Sequence, residues 1–439
     1  MTLTEAAFWT KRFGVIAAGA FAVFVIVILA VTLRAADEMP PQYMTANFAC
    51  TQTREEFLEH KLEIPSLKLA DGSEMVFEIN TDSGKIDSLP QIINVYSFDN
   101  PVQALSAQAD AKILAKKLGF DPDAIIRRGT QSYVWVDRER NQTLEVEAKN
   151  LNFSLKTDPA FIRQMAREAS LPSEQEAKSK AANALRSLGL YPEDYSTGNH
   201  QTTLIKVNPD GSYSKATALA DAQLVRVDFV RNKSMITIPS NIVGAESMVQ
   251  TLSRKLPEEP ISETRIVNDE KLIVYTFNTL VSFPNTQRAN ISVYIGVDNK
   301  DNTVTTLSSV YQIEYTFWPI YPESCGTYEL ISPQVAIEKV QSGEGSLVYL
   351  FENGGDDVIE YVPRRVKKFS VLDVYLVYYE DWEELEYLQP VYAISGEVIF
   401  DNDIKGSFDY FYPAINYEIV QDKIEQPKPE VIEESGGLL

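Results

Sequence analysis

The hydropathy pattern separates one long apolar run from a remainder in which apolar and polar residues alternate. Residues Phe13 to Leu33 carry no charged side chain, and Lys11, Arg12 and Arg34 flank them. About 20 apolar residues in a helix span the ~30 Å hydrocarbon core of a bilayer. The run therefore predicts one membrane-spanning helix over residues 13–34. The basic flank before it predicts a cytoplasmic N-terminus and a large domain outside the cytoplasm.

A cleaved signal peptide is the alternative interpretation of the same run. Its apolar core is typically about 7–15 residues long and ends in a small-residue cleavage site. The run is longer than that, which favours an uncleaved anchor, but Ala35 and Ala36 keep cleavage open.

Beyond the run, a helical period alternates with strand-like segments. Four alanine-rich amphipathic helices are predicted, each followed by two to four strands that read as antiparallel. The first two end at Gly119 and Gly189, which we expect in the left-handed conformation that closes a helix. Ser173 with Glu176 predicts a capping box. The predicted helices are Ser106–Leu118, Ser173–Leu188, Ala245–Leu256 and Ser332–Gln341.

These elements predict an α+β fold in which one N-terminal transmembrane helix precedes repeated modules, each a helix packed on an antiparallel sheet. The predicted boundaries are a cytoplasmic stub at 1–12, the membrane helix at 13–34, a spacer at 35–50, modules at 51–170, 171–244, 245–330 and 331–420, and a disordered tail at 421–439.

The charge balance excludes one class of partner. The chain has 40 Lys and Arg against 62 Asp and Glu, a net charge of −22. Such a surface repels polyanions, so nucleic acid is not an expected partner.

The sequence shows little candidate chemistry. Cys50 and Cys325 are its only cysteines, and they are either a disulfide or two separate thiols. Its only histidines are His60 and His200, which argues against a histidine-rich metal site and against a Ser-His-Asp triad. No catalytic, metal or cofactor-binding residue is predicted, and we expect a protein that is not an enzyme.

The C-terminal region is unusually rich in aromatic residues. One interpretation is a partner surface on one face of a sheet, with nearby acids such as Glu380 and Asp381 steering a basic protein. The other is a sheet–helix core whose hydroxyls point outwards. The candidate surface residues are Tyr375, Tyr378, Tyr379, Trp382, Tyr387, Tyr392, Tyr410 and Tyr412.

Part of this region resembles a known family. Ala336–Gly343, Val374–Tyr379 and Tyr387–Gly396, with Pro390 and Tyr392, resemble the C-terminal module of YycH/YycI-type membrane-anchored regulators and of PepSY-like domains. The resemblance implies extracytoplasmic modules that contact a partner histidine kinase.

Together these observations predict a single-pass protein of the cell membrane whose exposed domain acts by protein–protein binding. It would be an accessory, regulatory or scaffold protein that modulates a membrane sensor kinase or an envelope assembly. Two alternatives stay open: a cell-wall or peptide hydrolase with unidentified carboxylates, and a structural subunit of a secretion or surface apparatus.

Overall fold

The fold is mostly β and is built on two large sheets, one of ten strands and one of nine. A computed structural model describes residues 45–424, except for 83, 129–130, 168–169, 196–199, 257, 268–269, 285–287, 301 and 303. Nearly all strand pairs are antiparallel, and the parallel exceptions both involve the strand Val366–Tyr379.

Six α-helices occur in the described part of the chain, and most are short. They are α1 Arg54–Glu59, α2 Ala107–Lys117, α3 Pro159–Met165, α4 Glu174–Leu188, α5 Ala245–Lys255 and α6 Pro333–Gln341.

The strands are numbered in chain order. They are β1 Phe77–Ile79, β2 Ile92–Phe98, β3 Ile125–Arg128, β4 Ser132–Asp137, β5 Gln142–Glu147, β6 Phe153–Thr157, β7 Gln201–Val207, β8 Tyr213–Lys215, β9 Leu224–Phe229, β10 Asn232–Pro239, β11 Ile261–Val267, β12 Glu270–Ser282, β13 Ile291–Ile295, β14 Val310–Tyr315, β15 Ile320–Glu329, β16 Ser346–Glu352, β17 Val366–Tyr379, β18 Tyr387–Phe400 and β19 Lys405–Pro413.

Domain B contains the nine-stranded sheet, in the order β3-β4-β5-β6-β14-β13-β9-β7-β8, and is formed by residues 107–229 and 291–315. Strand β5 alternates buried and exposed residues, which is the period-two pattern of a sheet with one face in the core. Helices α2 and α4 cover that face through Leu114, Leu185 and their neighbours. The opposite face carries Arg226, Asp228 and Ser292 beside a second buried cluster that includes Leu224 and Tyr294.

Domain A contains the ten-stranded sheet, whose central path is β10-β12-β17-β18-β19-β16, with β1, β2, β11 and β15 paired at its sides. It gathers residues 45–98, 232–282 and 320–424. Helices α5 and α6 pack on one face through residues such as Met248, Leu252 and Ile337. A disulfide joins Cys50 to Cys325 of β15, with Cα atoms 4.6 Å apart, and ties the first described segment to this domain.

The expected series of successive helix-plus-sheet modules is therefore wrong. The chain passes between the two domains four times, so each sheet collects strands from across the boundaries predicted at residues 170, 244 and 330. The sequence predicts α2 and α4 in two separate modules, but both helices cover the same sheet. Local periodicity shows which face of a strand is buried, but it does not show which strand lies beside it.

The prediction of single-pass membrane anchoring is also corrected. Within residues 45–424, as far as they are described, no helix combines the length and the apolar character needed to cross a bilayer. The predicted span at 13–34, like the tail from 425 onwards, lies outside the described residues. The membrane anchor and the cell-membrane localisation are withdrawn.

The individual helices agree well with their sequence signals. All four predicted amphipathic helices form within one or two residues of the expected bounds. Ser173 and Glu176 make the capping box on α4. Gly119 and Gly189 have φ values of +84° and +74°, so the left-handed conformation predicted for both is confirmed.

Replacing these two glycines by alanine should destabilise the protein unequally. A Cβ at Gly189 meets only Lys117 Nζ at 3.7 Å, so Gly189→Ala should lower the unfolding free energy by about 1 kcal/mol, the cost of a positive φ. A Cβ at Gly119 would lie 2.8 Å from Arg140 Nη1 and 3.1 Å from Val304 Cγ2, so Gly119→Ala should cost more. Urea denaturation measures both. Gly343→Ala, with φ +88° and open space around it, is the matched control. Equal losses at positions 119 and 189 would contradict this packing.

Candidate functional site

The aromatic residues predicted as a partner surface mostly form core. Tyr378, Tyr379 and Tyr392 are 0% exposed, and Tyr387 and Tyr410 are at most 7% exposed. Tyr375 and Tyr412 are half-buried, and only Trp382, at 42%, is well exposed. Side chains of β17, β18 and β19 enter two separate buried clusters, Tyr378 and Tyr392 in one and Tyr379 in the other, so both faces of this part of the sheet are covered. A continuous aromatic surface is therefore not present here.

The acidic segment after β17 lies between the two domains instead of facing a partner. Glu380 N donates to Ser282 O at 3.0 Å, and Phe98 N donates to Glu386 O at 3.1 Å. Asn100 Nδ2 donates to Leu385 O at 2.9 Å. Residues 380–386, which we call the clamp loop, thus contact the ends of chain segments that pass between the domains.

Two more crossings also reach the clamp loop. Trp318 Nε1, just after β14, donates to Asp381 O at 3.1 Å. Asn290 Nδ2, just before β13, donates to the same oxygen at 3.3 Å. Lys149 of domain B forms an ion pair with Glu384. The loop that was interpreted as an acidic rim is a structural connection between the domains.

At the centre of this junction Arg231 and Glu380 form a buried ion pair. Arg231 Nη1 lies 3.2 Å from Glu380 Oε2, and both side chains are 0% exposed. Arg231 Nη2 also donates to Trp318 O at 2.8 Å. The guanidinium carbon lies 5.3 Å and 5.2 Å from the ring centres of Tyr195 and Phe317, both from the domain B side. Cation–π contacts of this kind stabilise a desolvated guanidinium.

Burial has the largest effect on the pKa of Glu380. Removal from water raises the pKa of Glu380 to about 7, although Arg231 opposes the shift by favouring the charged form.

A second buried ion pair lies in domain B, on the face of the sheet that α2 and α4 do not cover. Arg226 Nε donates to Asp228 Oδ2 at 2.7 Å, and Ser292 Oγ donates to Asp228 Oδ1 at 2.6 Å. The Arg226 and Asp228 side chains are 2% and 1% exposed. Burial raises the pKa of Asp228, while Arg226 and Ser292 oppose that shift.

An apolar cleft, lined mainly by residues of domain A, opens where two strands of that domain separate. β12 and β17 run parallel and pair only at Val281–Tyr378 and Ser282–Tyr379, so they diverge in the other direction. The diverging strands leave a cavity of about 230 Å³, and Leu252, Leu280 and Phe411 are among the apolar residues that line it. We call this space the cleft.

Two cations line the cleft, and they differ in their partners. Lys255 Nζ forms ion pairs with Asp373 and, at 3.3 Å, with Asp87. It also donates to Val374 O at 2.8 Å. These groups satisfy Lys255, so it closes one end of the cleft without offering a free charge.

Arg288 is the second of these cations, and its environment differs from that of Lys255. It is half-buried, and no described residue forms a hydrogen bond or an ion pair with it. Its charge opposes the burial that raises the pKa of Asp228, although the two side chains form no ion pair. Arg288 also lines a wider groove of about 600 Å³ that reaches Leu67, Val358 and Trp382.

This arrangement is suited to binding an anion beside an apolar group. The described residues contain no cluster of three or more His, Cys, Asp or Glu side chains placed to hold a metal ion. His200 Nε2 lies 2.9 Å from the Tyr191 hydroxyl, and burial lowers the pKa of His200. The sequence prediction missed Arg288 because nothing in its neighbourhood marks it. The only available signal was a lone arginine between the apolar segments Leu280–Pro284 and Ile291–Ile295.

Comparisons with known proteins identify no family. No family model matches the chain, and no curated protein matches it. Among solved structures, the crystal structure of an uncharacterized protein from Eubacterium rectale ATCC 33656 is similar at 11% identity and a TM-score of 0.37, covering 86% of this chain and 97% of that one. The resemblance to YycH/YycI-type and PepSY-like modules stays a prediction.

The pKa of Glu380 predicts a pH-dependent stability. The folded state holds this proton more tightly than the unfolded chain, whose carboxyl has the ordinary value of 4.5. Glu380 therefore makes its full contribution to the unfolding free energy below pH 4.5, and this contribution is lost as the pH rises through about 7. A shift of this size amounts to about 3 kcal/mol.

Denaturation of the wild type and of Glu380→Gln between pH 4.5 and 8 tests this prediction. The neutral amide cannot ionise, so the stability of the variant should fall less steeply with pH than that of the wild type. Glu397→Gln, at an exposed carboxylate, should keep the wild-type slope. The same slope in Glu380→Gln and the wild type would show that Glu380 does not titrate in this range.

Proposed function

We propose that this is a binding protein that acts through the cleft and recognises an apolar group carrying a carboxylate. The observation that carries the proposal is Arg288, a half-buried residue in the lining of an apolar cavity that forms no hydrogen bond or ion pair with a described residue. A cation withdrawn from water without a partner costs free energy. A carboxylate arriving at this position would recover that cost through charge-assisted hydrogen bonds.

The size of the cavity supports an apolar portion of the ligand. An apolar cavity of about 150 Å³ is enough to admit benzene. The cleft, at about 230 Å³, has room for a larger group: Leu252, Leu280 and Phe411 supply apolar walls, and Asp409 and Ser395 add polar groups to the same lining. Burial of such a group would contribute about 25 cal/mol for each Å² of apolar surface removed from water.

Two sources share this chemistry: a fatty acid, and a peptide that ends in an apolar residue with a free carboxylate. The peptide agrees with the expected role as an accessory, regulatory or scaffold protein, since the partner's C-terminus would occupy the cleft. No specific observation favours the hydrolase, because the buried carboxylates Asp228 and Glu380 each lie against an arginine.

Calorimetric titration with matched ligands tests the proposal. Octanoate has both required parts, octanol lacks the charge and acetate lacks the chain. We expect octanoate to bind at least about tenfold more tightly than octanol, since a hydrogen bond to a charged group contributes about 1.5–3 kcal/mol. A short peptide ending in leucine, compared with its C-terminal amide, forms the second arm and distinguishes the two sources.

The variant Arg288→Gln should remove the preference for the charged ligand. Arg254→Gln is the control, because Arg254 is 68% exposed and lies outside the lining of the cleft. If octanoate and octanol bind equally, or if neither carboxylate ligand binds, the proposal is wrong.

A further inference from the structure

Strand β11 is an exposed edge of the ten-stranded sheet. Among the described strands it pairs only with β12. Every residue from 261 to 266 is exposed, including Ile261 at 57% and Ile266 at 62%. Such a strand presents unpaired backbone groups to any strand that can lie beside it.

The ladder with β12 determines which backbone groups face outwards. Ser240 N donates to Ile273 O, so Ile273 directs its backbone groups towards β10. Adjacent residues of a strand point to opposite sides, so Leu272 and Val274 face β11. Their partners Arg265 and Glu263 therefore face β12. The amide and carbonyl groups of Ser262, Thr264 and Ile266 are directed at the free edge.

We propose that this edge pairs with the same edge of a second copy of the chain, antiparallel and centred on Thr264. The two Thr264 residues then exchange backbone hydrogen bonds across a two-fold axis, and Ser262 of each copy pairs with Ile266 of the other. In this register Glu263 of each copy lies directly opposite Arg265 of the other. An antiparallel pair places such side chains close together, and opposite charges there are stabilising.

The charges select this register over its neighbours. Only residues that direct their backbone groups outwards can form the hydrogen-bonded pairs, so the strand can slip only in steps of two. A slip in one direction places Glu263 opposite Glu263, and a slip in the other places Arg265 opposite Arg265, both of which are repulsive. The strand is therefore complementary to itself in one arrangement, which is the requirement for a symmetric dimer.

This contact is independent of ligand binding in the cleft. Glu263 and Arg265 already form a 3.0 Å ion pair within one chain, with side chains 57% and 52% exposed. Pairing between copies would redirect these charges across the two-fold axis. A single pair of strands buries little surface, so we expect a weak dimer with a dissociation constant in the micromolar range or above.

Charge reversal gives the sharpest test. Glu263→Arg places arginine opposite Arg265, and Arg265→Glu places glutamate opposite Glu263, so each variant alone should dimerise at least about tenfold more weakly than the wild type. Mixed together, the two variants present complementary charges and should form a heterodimer. Sedimentation velocity between about 5 and 500 µM covers the expected range.

Two further variants show whether any loss of dimerisation is specific to the β11 edge. Glu397→Arg reverses a charge of the exposed pair between β18 and β19, away from β11, and should dimerise like the wild type. Thr264→Pro removes the outward amide at the two-fold axis while sparing the ladder with β12, and should abolish the dimer. A wild type that stays monomeric throughout this range, or a mixture of the two reversed variants that does not associate, overturns the proposal.

Discussion

The buried contact between Arg231 and Glu380 lies where the chain passes from one domain to the other, and the relative placement of the two sheets depends on it. Arg231 is in the two-residue connection from β9 to β10, and Glu380 begins the clamp loop. Removing one partner of such a pair typically costs about 3–5 kcal/mol, because the other charge is left buried without compensation. The surrounding contacts from Trp318 and Asn290 to Asp381 bring two further crossings to the same point.

This junction explains how an unpaired arginine can persist near the cleft. Arg288 lies in the connection from β12 to β13, between Ser282, which accepts a hydrogen bond from the clamp loop, and Asn290, which donates one to it. Both ends of the connection are thus fixed. The cleft lies beside the part of β12 that does not pair with β17, because the two strands pair only at the last two residues of β12, Val281 and Ser282.

Local elements were predictable from the sequence, and their partners were not. Ser173, Glu176 and Gly189 mark the two ends of α4 by short-range chemistry, and the structure follows them. Glu380 stands in an acidic run, and its burial depends on an arginine 149 residues earlier in the chain, since 380 − 231 = 149. The sequence around Tyr378 and Tyr392 does not show whether these side chains are exposed or buried. They are core because they join one buried cluster with residues of the covering helices, such as Met248 and Ile337.

The central claim is that the cleft beside Arg288 is a ligand site, and photo-crosslinking tests it most directly. An octanoate analogue carrying a diazirine at the end of its chain would be irradiated with the protein, and the labelled peptides identified by mass spectrometry. We predict labelling around Leu252, Leu280 and Phe411, which line the cavity, and its suppression by excess octanoate. Labelling confined to other parts of the chain, or labelling that excess octanoate does not reduce, would contradict the claim.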